Sequence, residues 1–182
     1  GEGDLFALNN VSVVFEAEKI NTILGPSGSG KTTLLNMLSG LDYVNSGELI
    51  FDGVDIAKYN DKKMTEYRRN NIGFIFQSYN LLSRTTAIEN VGLPLVYDRT
   101  GRFSNPTEIA KKALEQVGLG DRIYHKTNQL SGGQQQRVAI TRALVNDPAL
   151  ILSDEATGNL DSKSSIDVAD LFVQLNNKGK TI

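Results

Sequence analysis

Eight residues constrain this chain more than any other feature of it: Gly25-Pro26-Ser27-Gly28-Ser29-Gly30-Lys31-Thr32. A glycine, four residues and then Gly-Lys-Thr lie between a short apolar run, Thr22–Leu24, and a helical stretch from Lys31 to Leu38 that stops near Gly40. The apolar run predicts a strand, so the loop joins a strand to a helix. Gly25, Gly28 and Gly30 let the backbone bend until several N–H groups point inward. The helix N-terminus adds partial positive charge. Lys31 is placed to reach the β- and γ-phosphates of a nucleotide, and the Thr32 hydroxyl to ligate Mg²⁺. Pro26, Ser27, Ser29 and Thr33 complete the cradle.

The rest of the chain reads as a scaffold for such a loop. Val11–Phe15 predicts another strand, and Glu48–Phe51 with Val54–Ile56, split by Asp52-Gly53, predicts a hairpin. Ile72–Phe76 and Ala149–Leu152 are near-continuous apolar runs, typical of buried parallel strands. From about Gln77 to Asp147 the pattern is helical. Asn105-Pro106 starts one helix that runs to Gly118, and another runs from about Gly132 to Asn146 and stops before Pro148. Ser162–Asn176 predicts a helix ended by Lys178-Gly179, and Thr181-Ile182 opens a further strand. Strands alternating with helices predict an α/β fold with a mostly parallel sheet. With 182 residues the chain reads as a single domain. It divides into a core lobe (1–77 and 148–182) and an inserted α-helical subdomain (78–147).

Two other segments carry chemistry. Asp154 and Glu155 follow the Ala149–Leu152 strand, which places them at the carboxyl edge of the sheet, where ligands bind in open α/β folds. Asp154 suits a role in holding Mg²⁺, and Glu155 one in polarising a water at the γ-phosphate. Leu130-Ser131-Gly132-Gly133-Gln134 precedes a strong helix. Ser131 can cap it, and the two glycines leave its first N–H groups uncovered, so this is a second anion site built like the first.

Leu130–Gln134, continued by Gln135-Gln136-Arg137, resembles the signature motif of the ATP-binding cassette (ABC) ATPases. Gly25–Thr33 resembles their phosphate loop, and Ile75-Phe76-Gln77 their glutamine loop. Ile151–Thr157 resembles their Walker B segment, and Gly158-Asn159-Leu160-Asp161 their D-loop, in the same order over nearly the whole chain. The resemblance implies a P-loop NTPase fold with an N-terminal antiparallel β part. It implies ATP and Mg²⁺ as cofactors and ATP hydrolysis as the activity. Glu155, Lys31 and Gln77 are then the catalytic groups, and Thr32, Gln77 and Asp154 the metal site. Ser131, Gly132, Gly133 and Gln134 meet the γ-phosphate held by a second subunit, and Asp161 lies across that interface. Two copies thereby sandwich two ATP molecules as a homodimer.

Phe76–Leu82, Glu89-Asn90-Val91 and Thr157–Asp161 narrow the resemblance to the macrolide-export, lipoprotein-release and cell-division branch. There the ATPase is cytoplasmic, peripheral on the inner face of the cell membrane, and works with a permease whose docking site here falls near Gln77–Leu82. The same engine also serves cell-division or wall-remodelling complexes without transport, and the sequence leaves both readings open. Three departures stand out. The γ-phosphate histidine of such proteins falls beyond Ile182, and His125 reads as a solvated surface residue. The adenine-stacking aromatic falls before Gly1, with Phe6 as a substitute. Ala156 stands where the branch has proline, which is expected to loosen the turn after Glu155. These gaps lead to the expectation that the chain is truncated at both ends.

Composition removes other classes. The chain has no cysteine and one histidine, which excludes disulfides, thiolate metal sites and His-rich metal sites. A net charge of −2 excludes a strongly basic nucleic-acid surface. The segment between the phosphate loop and the signature is too short for the long coiled coil of the nucleic-acid machines that carry this cassette, so no nucleic-acid partner is expected. No apolar run approaches the roughly 20 residues of a membrane span, and no secretory leader is expected at the N-terminus.

Overall fold

The computed structural model describes residues 6–182. The first five residues of the expected core lobe lie outside the described residues. The phosphate loop feeds α1 (Lys31–Ser39), which ends at Gly40 in a left-handed conformation (φ 70°). A Cβ at Gly40 would strike the Met64 side chain, so glycine both ends the helix and admits α2 (Asp61–Asn71) against it. The sequence reading passed over α2. Its residues are almost all polar, and only Met64 and Tyr67 are buried. Its start was legible in Asn60, whose side chain accepts from the Lys63 N–H at 3.0 Å.

The hairpin is shorter than expected: β1 (Ile50–Phe51) pairs antiparallel with β2 (Val54–Asp55). Its turn residues Asp52 and Gly53 have φ of 49° and 76°, the twist that a two-residue hairpin requires. The buried strands form as expected. β3 (Ile72–Ile75) runs parallel to β4 (Leu150–Ser153), with Ile75 opposite Ser153. β4 also bridges in parallel to Thr181. The Ile182 N–H donates to the Lys19 carbonyl at 2.9 Å, and the Asn21 N–H donates to the Ile182 carbonyl at 2.7 Å. The order across the sheet is therefore β3, β4, Thr181–Ile182 and Lys19–Asn21.

The expected strands Val11–Phe15 and Thr22–Leu24 do not form. A strand needs a neighbour for its N–H and C=O groups, and among the described residues only Lys19–Asn21 has one on this side. Val14 and Leu24 are 90% and 87% exposed. Among the described residues the antiparallel part is β1–β2 alone.

Three helices follow β3: α3 (Ala87–Val96), α4 (Pro106–Gln116) and α5 (Gly132–Leu144). Asn105 and Ser131 cap α4 and α5 as expected, accepting from the backbone N–H of Glu108 and Gln134. Two cores meet at α5. Val138 packs with Val91, Leu95 and Leu114 of the helical layer, while Ile140 packs with Ile75 and Ile151 of the sheet. Residues two apart face opposite sides of a helix, so α5 is shared by both cores. Helix α6 (Ser162–Asn177) closes the far side through Val168. Among the described residues no helix is long and apolar enough to cross a membrane.

Candidate functional site

The phosphate loop forms a cleft of about 560 Å³, within the usual size of a small-molecule site. It is lined by Ser27, Gly28, Gly30, Lys31, Thr32 and Thr33 on one side and by Gln77, Asp154 and Glu155 on the other. Gly28 and Gly30 have φ of 77° and 88°. A Cβ on Gly30 would stand 2.7 Å from the Ala7 carbonyl, so the loop folds against residues 7–8 only because Gly30 has none. Ser29 N–H donates to the Pro26 carbonyl at 3.3 Å and tightens the turn. Lys31 Nζ donates to the carbonyls of Gly25 and Pro26, each at 2.9 Å. The ammonium is thus tied back across the mouth of the cradle.

Parallel pairing of β3 with β4 delivers the acidic side of the cleft. Asp154 N–H donates to the Ile75 carbonyl at 3.0 Å, which extends the ladder past Ser153. The Asp154 carboxylate accepts from the Thr32 hydroxyl at 2.9 Å. Gln77 Nε2 donates to Glu155 Oε2 at 3.2 Å. Glu155 sits in the left-handed region at φ 48°, a conformation costing a non-glycine residue about 1 kcal/mol or more and common at functional positions. The turn it opens is closed by the Gly158 N–H on the Glu155 carbonyl at 2.9 Å. Ala156 lies buried within it. Gly158 also presses on the pair, since a Cβ there would stand 3.0 Å from Gln77 Nε2.

The donor set fits a nucleotide with a divalent cation. Thr32, Gln77 and Asp154 offer a hydroxyl, an amide and a carboxylate at one edge of the phosphate cradle. Mg²⁺ characteristically takes one or two protein oxygens and completes its shell with phosphates and water. No group of three or more His, Asp or Glu side chains gathers among the described residues, and such a cation needs none.

Ser131, Gly132, Gly133 and Gln134 do not line this cleft. They form the capped start of α5, where Ser131 Oγ accepts from the Gln134 N–H and Gln134 Oε1 accepts from the Ser131 N–H. Asp161 is likewise outside the cleft and caps α6. Its carboxylate accepts from Ser164 N–H at 3.0 Å and Ser164 Oγ at 2.7 Å, and these bonds hold its pKa below the ordinary carboxylate value. The two caps touch: a Cβ on Gly133 would stand 2.7 Å from Ser164 Oγ. Phe6 lines the cleft and is 67% exposed. His125 differs from expectation, being half-buried with Nε2 at 3.2 Å from Arg122 Nη1.

Two residues take roles that the sequence does not assign. Asn159 Nδ2 donates to the Gln77 carbonyl at 3.1 Å and ties the loop after Glu155 to the glutamine. Arg142 donates from α5 to the Tyr79 and Asn80 carbonyls. Its signal was a single cation inside the apolar run Val138–Val145.

Residues 8–158 match the family described as ABC transporter. The chain belongs to that family. It is an ABC ATP-binding domain, 51% identical to an uncharacterized ABC transporter ATP-binding protein of Thermotoga maritima, over 100% of this chain and 77% of that one. A macrolide export ATP-binding/permease protein, MacB of Rhodopirellula baltica, is 46% identical over 97% of this chain and 26% of its own length. Among solved structures, the ATP-binding cassette MJ0796, dimeric and bound to ADP and Pi, superposes with a TM-score of 0.90. It is 43% identical over 99% of this chain and 79% of that one. The likeness extends to the ABC cassette fold as a whole, and members of the family hydrolyse ATP.

Proposed function

We propose that this ABC domain binds ATP with Mg²⁺ at the Gly25–Thr33 cradle, hydrolyses it between two copies and so drives a membrane permease. The observation that carries the reading is the convergence of Lys31, Thr32, Gln77, Asp154 and Glu155 on one cleft, from three separate segments. Lys31 and the loop N–H groups stabilise the charge on the transferred phosphoryl group. Thr32, Gln77 and Asp154 would hold Mg²⁺, which would offset the charge of the phosphates. Glu155 accepts a proton from the attacking water or orients it, and Gln77 holds Glu155 and the water in line. Catalysis is mainly positioning and electrostatic stabilisation.

Ser131–Gln134 and Asp161 do not line the cleft of their own chain. Their place in this reading is opposite the γ-phosphate of a second copy, which agrees with the dimeric state named for MJ0796. The two lobes, 1–77 with 148–182 and 78–147, meet at α5. The permease docks near Gln77–Leu82, where Leu82 is 47% exposed. Relatives that carry ATP-binding and permease parts in one chain support that partner. The domain works at the inner face of the cell membrane.

Size-exclusion chromatography in ATP and Mg²⁺ tests the reading. Glu155→Gln runs as a dimer and the unaltered protein as a monomer. A Glu155→Gln protein that stays monomeric overturns the two-site sandwich.

A further inference from the structure

Arg142 reaches from α5 into the turn that follows Gln77. Nη1 donates to the Asn80 carbonyl at 2.6 Å and Nη2 to the Tyr79 carbonyl at 2.9 Å. Among the described residues neither carbonyl has another donor, and no carboxylate pairs with Arg142. Burial pulls the guanidinium pKa down, so the cation is partly stripped of water with only carbonyl dipoles in exchange. A surface-seeking side chain kept there is holding something.

What it holds is unusual backbone. Tyr79 and Asn80 both lie in the left-handed region, at φ 60° and 48°. Two such residues in succession reverse the chain directly after Gln77 and turn both carbonyls toward α5. The strain persists only if the surroundings enforce it, and the planar two-pronged guanidinium does so better than a point charge. The same helix meets Tyr79 again near its start. A Cβ on Gly132 would stand 3.3 Å from the Tyr79 hydroxyl. Tyr79 is thus gripped by its carbonyl at Arg142 and approached at its hydroxyl by Gly132.

We propose that Arg142 is a positioning residue, which sets Gln77 against Glu155 by holding the carbonyls of Tyr79 and Asn80 from α5. The Ser131–Gln134 cap and Gln77 then move as one body. A shift of α5 relative to β4, such as phosphate binding at the cap would cause, changes the Gln77–Glu155 separation directly. The proposal rests on the reading of Gln77 and Glu155 as the groups that orient the attacking water.

Arg142→Met keeps the aliphatic stem and removes both donors, and Arg142→Lys keeps the charge without the fork. Amide exchange of the full chain reads the loop without relying on activity. In Arg142→Met, exchange at residues 78–81 accelerates about tenfold or more while residues 136–140 of α5 keep their protection. With ATP and Mg²⁺, kcat falls about ten- to a hundredfold while KM stays within about threefold, and Arg142→Lys recovers part of the loss. The Arg142→Met/Gln77→Ala double variant is no slower than Gln77→Ala alone, because both changes act through one group. Unchanged exchange at 78–81, exchange that rises equally through α5, or losses that multiply in the double variant would each overturn the proposal. If Gln77→Ala alone turns over at the normal rate, the water-orienting reading fails, and the exchange data still decide whether Arg142 holds the loop.

Discussion

Gln77 Nε2 meets Glu155 Oε2 at 3.2 Å across 78 residues of sequence. Neither residue has a neighbour in the chain that brings the other near. The parallel register of Ile75 with Ser153 places both just beyond the same sheet edge. The Asn159 side chain on the Gln77 carbonyl and the close approach of Gly158 then fix the pair laterally.

Glu155→Gln preserves this contact, because an amide oxygen accepts from Gln77 as a carboxylate does. Thermal stability is expected within about 0.5 kcal/mol of the unaltered protein. Phosphate release is expected to fall about 10²- to 10⁴-fold, the usual contribution of a general base. A variant that keeps turnover removes Glu155 from the chemistry. A variant that unfolds early shows that the negative charge is structural.

Gly30→Ala is expected to damage the cradle. The residue lies at φ 88°, and the added methyl would approach the Ala7 carbonyl to 2.7 Å. Strain and displacement together cost about 1–3 kcal/mol. The urea midpoint should drop, and binding of a fluorescent ATP analogue should weaken beyond what the stability loss explains.

Two buried glycines should respond in opposite directions. On β3, a methyl at Gly73 would meet the Ala143 carbonyl of α5 at 2.5 Å and the Pro148 ring at 2.9 Å. Backbone cannot give way there, so Gly73→Ala should cost about 2 kcal/mol or more. In α3, a methyl at Gly92 meets only the Ala110 Cβ at an ordinary 3.8 Å. Gly92→Ala should gain about 0.5–1 kcal/mol from helix propensity. Chemical unfolding of both variants checks the pair.

Among the described residues, four carboxylates have pKa values lowered by folding. Asp55 is held below the usual range by Lys58, Glu89 by the Thr86 N–H, Asp98 by Thr100 and Asp161 by the Ser164 N–H. A pKa lowered by folding contributes stability that is present above the unfolded value of about 4 and is lost as pH falls through the folded value. The urea midpoint should therefore hold between pH 7 and about 5 and fall below about pH 4. Asp161→Asn keeps a cap acceptor and loses the charge, so its midpoint should change less steeply across that acid range.

Local signals served well wherever the backbone itself sets the outcome. The phosphate loop was readable because glycines at 28 and 30 are needed for positive φ. The caps Asn105 and Ser131 were readable because a side-chain acceptor beside a free N–H is a short-range event. Ile72–Ile75 and Leu150–Ser153 were readable because strands buried on both faces are apolar throughout. Val11–Phe15 and Thr22–Leu24 misled for the complementary reason. Their β-branched composition favours a strand, but a strand exists only beside a partner, which sequence pattern does not supply.

The sequence by itself determined the glycine-rich loop and the acidic pair after β4, the buried strands Ile72–Ile75 and Leu150–Ser153, the helices capped by Asn105 and Ser131, and the ABC family to which the chain belongs. Only the tertiary structure decided which of those residues meet. The β3–β4 register brings Gln77 to Glu155, and the packing of α1 against β4 brings Thr32 to Asp154. The shared helix α5 keeps Ser131–Gln134 out of that cleft's lining while Arg142 reaches the loop beside it. The physical reason is range: helix caps and glycine turns are fixed by interactions a few residues apart, whereas these contacts depend on strand pairing and core packing between distant segments.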